Sequence, residues 1–230
     1  MFESIILAGG FGTRLKSISG DTPKPMVKVG GSPFLYILMK NLEKQGCKNI
    51  IISTHYNSDF IIDSILKDNP VRCNVDFAIE EKPLGTGGAI KFASNKISSD
   101  KFIVLNGDTY NNIKYLEFLD YSRKTDILIS AVKIANPDRF GIIELDSNKN
   151  VLSLNSSSKT FNGIINSGTY AIKKSTIQTF KKNMFSFEDD FLRDFKGTFK
   201  AHINNNTFID IGIPEDYERA CELFKWKLHF

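Results

Sequence analysis

The stretch that most constrains this chain is Leu7-Ala8-Gly9-Gly10-Phe11-Gly12-Thr13-Arg14-Leu15-Lys16, followed closely by Pro23-Lys24-Pro25-Met26-Val27. The apolar run Ile5-Ile6-Leu7 ahead of it reads as a buried strand. Glycines 9, 10 and 12 then let backbone N–H groups approach a ligand closely. A row of such groups forms an anion-binding concavity. Arg14 adds a planar fork suited to phosphate oxygens. Lys24 adds a point charge on a segment stiffened by the prolines on either side of it. The chemistry implied is the cradling of a polyphosphate. Two common phosphate motifs do not fit. A dinucleotide fingerprint needs a glycine where Leu15 stands, and a Walker A loop ends in Gly-Lys-Ser/Thr, which Thr13-Arg14 is not.

At 230 residues the chain has enough length for one large α/β core. The net charge of +4 is spread without a Lys/Arg block, so nucleic acid is not an expected partner. Cys47, Cys73 and Cys221 have neither zinc nor redox spacing and are expected to be reduced, packed thiols. The first residues lack a basic leader region, and no apolar run approaches a membrane span. The expectation is a cytoplasmic protein with no membrane partner.

Periodicity predicts strands over 49–54, 74–79, 101–105 and 126–134, alternating with helices over 34–45, 58–67, from after Ala89 to about Lys96, and 115–123. In the second helix Ile61, Ile62, Ile65 and Leu66 are expected to be buried. That alternation favours a mainly parallel sheet with helices on both faces. From Gly141 the pattern changes to a hairpin around 147–150, a strand over 164–172, a helix capped by Ser186, and short strands over 198–203 and 207–210. Pro214 opens a C-terminal helix running to about Lys227. The reading is one domain over 1–230, with 141–210 as a sugar-binding or lid-like subregion.

In such sheets ligands bind beyond the carboxyl ends of the strands. The first loop, Glu80–Gly88, Asn106–Thr109 and Asp210–Gly212 all fall there. Asp108 follows Asn106 and Gly107 at a strand end, where a carboxylate suits Mg²⁺, a hard cation that prefers oxygen ligands. Glu80, with Glu81 and Lys82 after it, is in reach of a base, although such a run is also a usual solvated surface. Thr86 is equally readable as a helix cap. His55, His202 and His229 do not cluster and read as packing or surface residues.

The Gly-x-Gly-Thr-Arg-Leu string with its Pro-Lys-Pro-Met sequel resembles the signature of the sugar-1-phosphate nucleotidylyltransferases, and the resemblance extends over nearly the whole chain. It implies a Rossmann-like, nucleotide-diphospho-sugar transferase-like fold and Mg²⁺-dependent transfer of a nucleoside monophosphate from NTP to a sugar 1-phosphate. Arg14 and the amides from Gly9 to Thr13 would hold the departing pyrophosphate, and Lys24 the α-phosphate. Leu7, Ala8, Pro83 and the Gly85-Thr86-Gly87-Gly88 loop would pack around the nucleotide. Asp108 is similar to the family's metal-binding Gly-Asp, and Asp210 in Asp-Ile-Gly-Ile-Pro-Glu-Asp-Tyr to its second metal ligand. Gly141, after Arg139-Phe140, and Asn166 in Asn166-Ser167-Gly168 match positions that face the sugar. A buried asparagine that satisfies nearby backbone is the alternative for Asn166. One departure stands out: serines 156–158 occupy the place of a Glu-Lys-Pro whose lysine touches the sugar phosphate, which leaves Lys159 as a substitute. Within the family, Glu-Lys-Pro-Leu-Gly-Thr-Gly-Gly-Ala and the short length look most like the D-glycero-α-D-manno-heptose 1-phosphate guanylyltransferases, which implies GTP. Mannose 1-phosphate guanylyltransferases, and relatives using CTP, UTP or dTTP, are the near alternatives. A metal-dependent glycosyltransferase would usually show Asp-x-Asp where Asn106-Gly107-Asp108 has one acid. A nucleotide-sugar sensor would be expected to have lost Arg14, Lys24 or a metal carboxylate. The apolar residues at the C-terminal end, Phe224, Trp226, Leu228 and Phe230, suggest a buried helix face or a homodimer contact.

Overall fold

A computed structural model describes residues 1–10, 12, 15, 18, 20–135, 137, 140–156 and 162–225. Among these residues, β1 (Phe2–Leu7) lies inside the parallel half of a nine-stranded mixed sheet. It pairs in parallel with β4 (Cys47–Thr54) on one side and β6 (Lys101–Asn106) on the other, and β5 (Asn74–Ile79) extends the parallel half beyond β4. The short hairpin β2 (Lys28–Val29) and β3 (Ser32–Pro33) turns through Gly30 and Gly31, both at positive φ.

Parallel strands buried on both faces should be apolar throughout rather than alternating. In β1, Phe2 and Ile6 point into one core and Ile5 into the other, all at most 3% exposed. The first core is closed by α1 (Phe34–Lys44), α2 (Ser58–Lys67) and α4 (Tyr115–Ser122). The second is closed by α3 (Gly85–Ala93) and a π-helical turn, Phe187–Leu192. In α2, Ile61 and Ile65 are buried as expected, but Ile62 is half-buried and Leu66 is 73% exposed. These four residues fall within two helix turns but spread over roughly 140° of its circumference, wider than the strip that meets the core. Ile61 and Ile65 are four apart and share a face, while Leu66 is rotated roughly 100° off Ile65.

The antiparallel half begins at β11 (Asn162–Lys173), which pairs with β6 and returns the chain beside β8 (Ile127–Ala135). The hairpin of β9 (Ile142–Leu145) and β10 (Val151–Ser156) adds to the far edge, and β12 (Phe199–Asn204) pairs in parallel with β8. A short α5 (Lys174–Gln178) follows β11. Ser186 caps the π-helical turn through Asp189 N–H at 3.1 Å, which is the cap that the sequence predicts. A separate ribbon of β7 (Thr109–Asn111) and β13 (Phe208–Asp210) leads into α6 (Pro214–Lys225). Phe224 of α6 is buried edge-on against Tyr110; Trp226, Leu228 and Phe230 lie outside the described residues. No described helix is long and apolar enough to cross a membrane. The three cysteines are free, and burial pushes the Cys47 thiol up to about 11.

Candidate active site

The parallel half brings the carboxyl ends of β1, β4, β5 and β6 to one edge, where a cleft of about 330 Å³ opens. Leu7, Gly9 and Gly10 line it from the first loop, and Asn106, Gly107 and Asp108 from the end of β6. Glu80, Pro83, Gly85 and Thr86 close the third side. Ala8 sits behind this wall, donating its N–H to Ser53 O at 2.8 Å. Gly12 turns with φ +62°, and a Cβ there would lie 2.9 Å from Lys24 Cβ, so the loop rests on the Lys24 segment. Thr13, Arg14 and Lys159 lie outside the described residues.

Gly107 donates to Leu7 O at 2.9 Å, and an added Cβ would come within 2.4 Å of that oxygen. Only glycine lets the turn after β6 cross the end of β1 so closely, and this crossing aims Asp108 at the cleft. Asp210 arrives from the other end of the sequence. The β7–β13 ribbon sets it opposite Thr109, and Ile211 N–H donates to Asp108 O at 3.0 Å. Asp210 Oδ1 accepts from Gly212 N–H at 2.7 Å, fixing its carboxylate. Two acids about a hundred residues apart are thus tied by adjoining backbone.

Lys24 stands between them. Its Nζ is hydrogen-bonded to Asp108 Oδ2 and lies 4.0 Å from Asp210 Oδ1, with the side chain only 9% exposed. The sequence assigns Lys24 to the phosphate and the acids to a metal; the structure joins all three in one cluster.

Glu80 is 8% exposed, with Oε1 accepting from Ser53 Oγ at 3.2 Å and Oε2 from Leu84 N–H at 3.0 Å. Burial raises its pKa, against the pull of these bonds and of His55. Glu80 is therefore a fixed acceptor in the cleft wall, while Glu81 and Lys82 are exposed. Pro25, Ser53, His55 and Ala89 also line the cleft. Sequence reading missed them; Ser53 and His55 flank the carboxyl end of β4, which was the available signal. His55 Nδ1 is 2.9 Å from Glu80 O. His202, in contrast, packs against Phe118 and Tyr121 as expected, and its burial lowers its pKa.

The glycines at 85, 87 and 88 have a packing role. Added Cβ atoms would meet Phe185 O at 2.5 Å, the Phe185 ring at 2.2 Å and Asn183 O at 2.3 Å, respectively. Thr86 is not the helix cap, since Leu84 holds that position; its hydroxyl instead donates to Glu188 Oε2 at 3.1 Å.

On the far side, β11 bulges between Asn166, opposite Ala131, and Tyr170, opposite Ile129. Gly168 takes φ +71° in this bulge, and a Cβ there would lie 2.7 Å from both Asn106 Nδ2 and Thr109 Oγ1. The bulge therefore abuts the Asp108 turn. Asn166 Oδ1 accepts from Gly168 N–H at 2.8 Å, the local satisfaction that its alternative reading foresees. Neither Asn166 nor Gly141 is among the residues lining the 330 Å³ cleft. Phe140, beside Gly141, stacks edge-on to Phe208 of the Asp210 ribbon at 5.8 Å.

Residues 3–223 match the nucleotidyl transferase family. The chain belongs to that family. It is 36% identical to a D-glycero-α-D-manno-heptose 1-phosphate guanylyltransferase of Campylobacter jejuni, an alignment that covers 94% of this chain and 96% of the relative. It is 34% identical to a protein of the same name from Aneurinibacillus thermoaerophilus, over 95% and 96%. HddC from Yersinia pseudotuberculosis superposes with a TM-score of 0.93 at 53% identity, covering 98% of this chain and all of HddC. A second HddC structure, complexed with GMP-PN, gives a TM-score of 0.92 over the same shares.

Proposed function

We propose that this nucleotidyl transferase moves GMP from GTP to a heptose 1-phosphate, giving a nucleotide-diphospho-sugar and releasing pyrophosphate. The observation that carries the reading is the near full-length match to two proteins named for that reaction, together with a structural relative at 53% identity solved with GMP-PN. A phosphate oxygen of the sugar 1-phosphate attacks the α-phosphorus of GTP, and the bond from that phosphorus to the bridging oxygen of the β-phosphate breaks. The attacking monoester is mostly ionised near neutral pH because its second pKa is about 6, so no general base is required. Catalysis is alignment plus charge neutralisation.

The Asp108–Asp210 pair fits Mg²⁺. Both are hard oxygen donors, and both already face one cation, the Lys24 ammonium. When bound there, Mg²⁺ supplies positive charge for the phosphates. Lys24 neutralises charge at the α-phosphate, and the amides of Gly9 and Gly10, with Arg14, hold the leaving pyrophosphate. Glu80 offers a fixed acceptor to N–H groups of guanine. Gly141, Asn166 and Lys159 are the residues proposed to meet the sugar phosphate.

The deciding assay crosses four NTPs with heptose, mannose and glucose 1-phosphates and follows pyrophosphate release. GTP with the heptose 1-phosphate is expected to give the highest kcat/KM. A higher value for mannose 1-phosphate, or for another NTP, overturns the substrate assignment.

A further inference from the structure

The hydrogen bonds around Glu188 converge on it from two sides, and its carboxylate is the reason. Thr86 Oγ1 donates to Oε2 at 3.1 Å, and Tyr170 Oη donates to Oε1 at 2.7 Å. Behind Thr86, Phe187 N–H donates to Oγ1 at 2.8 Å. Behind Tyr170, Asn166 Nδ2 donates to Oη at 2.5 Å, and Gly168 N–H fixes Asn166 Oδ1. An ionised carboxylate only accepts, so both neighbours must turn their protons toward it. The chain thus begins at Thr86 in the cleft wall and ends at Asn166 in the β11 bulge.

This fixed polarity determines what each end can present. Thr86 has spent its proton on Glu188 and keeps only acceptor capacity. Asn166 has one amide N–H and one oxygen lone pair left after its two bonds. Tyr170 is fully buried and T-shaped against Phe187, at 5.1 Å between ring centres, so the relay cannot slacken by side-chain rotation. The element carrying Glu188 is a π-helical turn, a form that recurs at functional sites. Gly85, Gly87 and Gly88 press the Thr86 loop onto the 183–187 segment.

We propose that Glu188 is a positioning residue for both substrates, orienting Thr86 toward the nucleotide and, through Tyr170, Asn166 toward the sugar phosphate. This rests on the nucleotidyl-transfer reading, with its two substrates on either side of the Asp108 turn.

The test separates the two arms. Tyr170→Phe is expected to raise KM for the sugar 1-phosphate about tenfold, the loss of one hydrogen bond to a charged group, and to leave KM for the NTP within twofold. Thr86→Val should do the reverse. Glu188→Gln has nearly the same shape, but its amide opposes one of the two donors, and Glu188→Ala removes both acceptors. Glu188→Ala should raise both KM values and Glu188→Gln at least one of them, with kcat changing less than the affected KM. Adding Thr86→Val to Glu188→Ala should cost nothing more in KM for the NTP. If Glu188→Gln melts at the wild-type temperature with both KM values within twofold, the inference is wrong. A lowered melting temperature with unchanged KM values assigns Glu188 to structure and overturns it as well. The wild-type substrate matrix decides the parent reading separately, and the variants are compared on whichever substrate pair turns over. If none does, calorimetric titration with GTP replaces the assay, and equal affinity in wild type, Thr86→Val and Glu188→Gln rejects the proposal.

Discussion

The two sides of the cleft are built on opposite strand arrangements. The side proposed for the nucleotide stands on β1, β4, β5 and β6, all parallel, so every strand ends at the same edge and delivers its loop there. The side proposed for the sugar stands on β11 and on β8 and β9, each antiparallel to it, so position along the sequence does not dictate which end faces the cleft. Here the aiming is done by a local irregularity, the bulge at Asn166–Tyr170, and by a buried polar cluster beneath it. Asn111 Nδ2 donates to Ser130 Oγ at 2.8 Å and to Ser167 Oγ at 2.9 Å, tying β7 to β8 and β11. One side is positioned by topology and the other by particular side chains. Single substitutions should therefore disturb the sugar side more selectively.

The largest effects belong to the cluster shared by both sides. Lys24→Ala, Asp108→Asn and Asp210→Asn are each expected to lower kcat by about 10²–10³, the range for loss of one preorganised charge or donor. A chelator should abolish turnover and added Mg²⁺ restore it. Wild-type rates from a chain lacking both acids would falsify the proposed chemistry. Pyrophosphate release from NTP and sugar 1-phosphate, set beside a nucleotide-sugar donor assay, distinguishes this chemistry from glycosyl transfer and from ligand sensing. Losses confined to one substrate's KM would show that the cluster serves one side only.

Next comes the glycine loop. Gly87→Ala places a Cβ 2.2 Å from the Phe185 ring, so the 183–187 segment must move. Overpacking of this kind costs about 1–3 kcal/mol. For a domain of this size that is roughly 2–10 °C in melting temperature. Gly10→Ala has nothing within 4 Å of the added carbon and should melt as wild type. A larger stability loss at Gly10 than at Gly87 would break the assignment of packing to one loop and ligand approach to the other.

That contrast explains what the sequence could reveal. The parallel half was legible because apolar runs followed by Gly-rich or acidic loops mark strand ends directly, as at Leu7 and Asn106. The pairing of Asp108 with Asp210 was legible only through resemblance, since the β7–β13 ribbon is three residues on each side and carries no periodicity. The seat of Lys24 on these acids was not legible, because a contact 84 residues apart in sequence leaves no local trace. Glu188 escaped for a similar reason: Ser186-Phe187-Glu188-Asp189 reads as a helix start, and nothing in it announces Thr86 or Tyr170 as partners.

A smaller effect, confined to the parallel half, is read by pH. Burial raises the pKa of Glu80, so the folded protein holds that proton at pH values where the unfolded chain, near 4.5, has released it. Stability from this group is then lost as pH rises through the window from 4.5 up to the raised value. Glu3 acts in the opposite sense. Its pKa is lowered by bonds from Ser99 and Asn49 despite the opposing effect of burial, so its contribution is lost as pH falls below 4.5. Urea unfolding of wild type and Glu80→Gln from pH 4 to 7 should show a flatter profile above 4.5 for the variant. Parallel slopes would mean that Glu80 is not the group responsible.

The smallest expected effect, at Leu66, is read against its buried neighbour Ile65 in the helix that flanks the parallel half. Apolar content alone gives Ile61, Ile62, Ile65 and Leu66 equal claims on the core, but a helix offers one face. Ile65 is 2% exposed and Leu66 is 73% exposed, so neighbours in sequence should differ sharply in cost. Ile65→Ala leaves a cavity and should destabilise by about 2–5 kcal/mol. Leu66→Ser removes side-chain surface that already meets water and should stay within about 0.5 kcal/mol of wild type. A loss of more than about 1 kcal/mol at Leu66, on the scale of burying a CH₂ group, would mean that this face is covered in solution. Repeating the melt at several protein concentrations would then tell a second copy of the chain from a contact within one molecule, because only the former makes the midpoint depend on concentration.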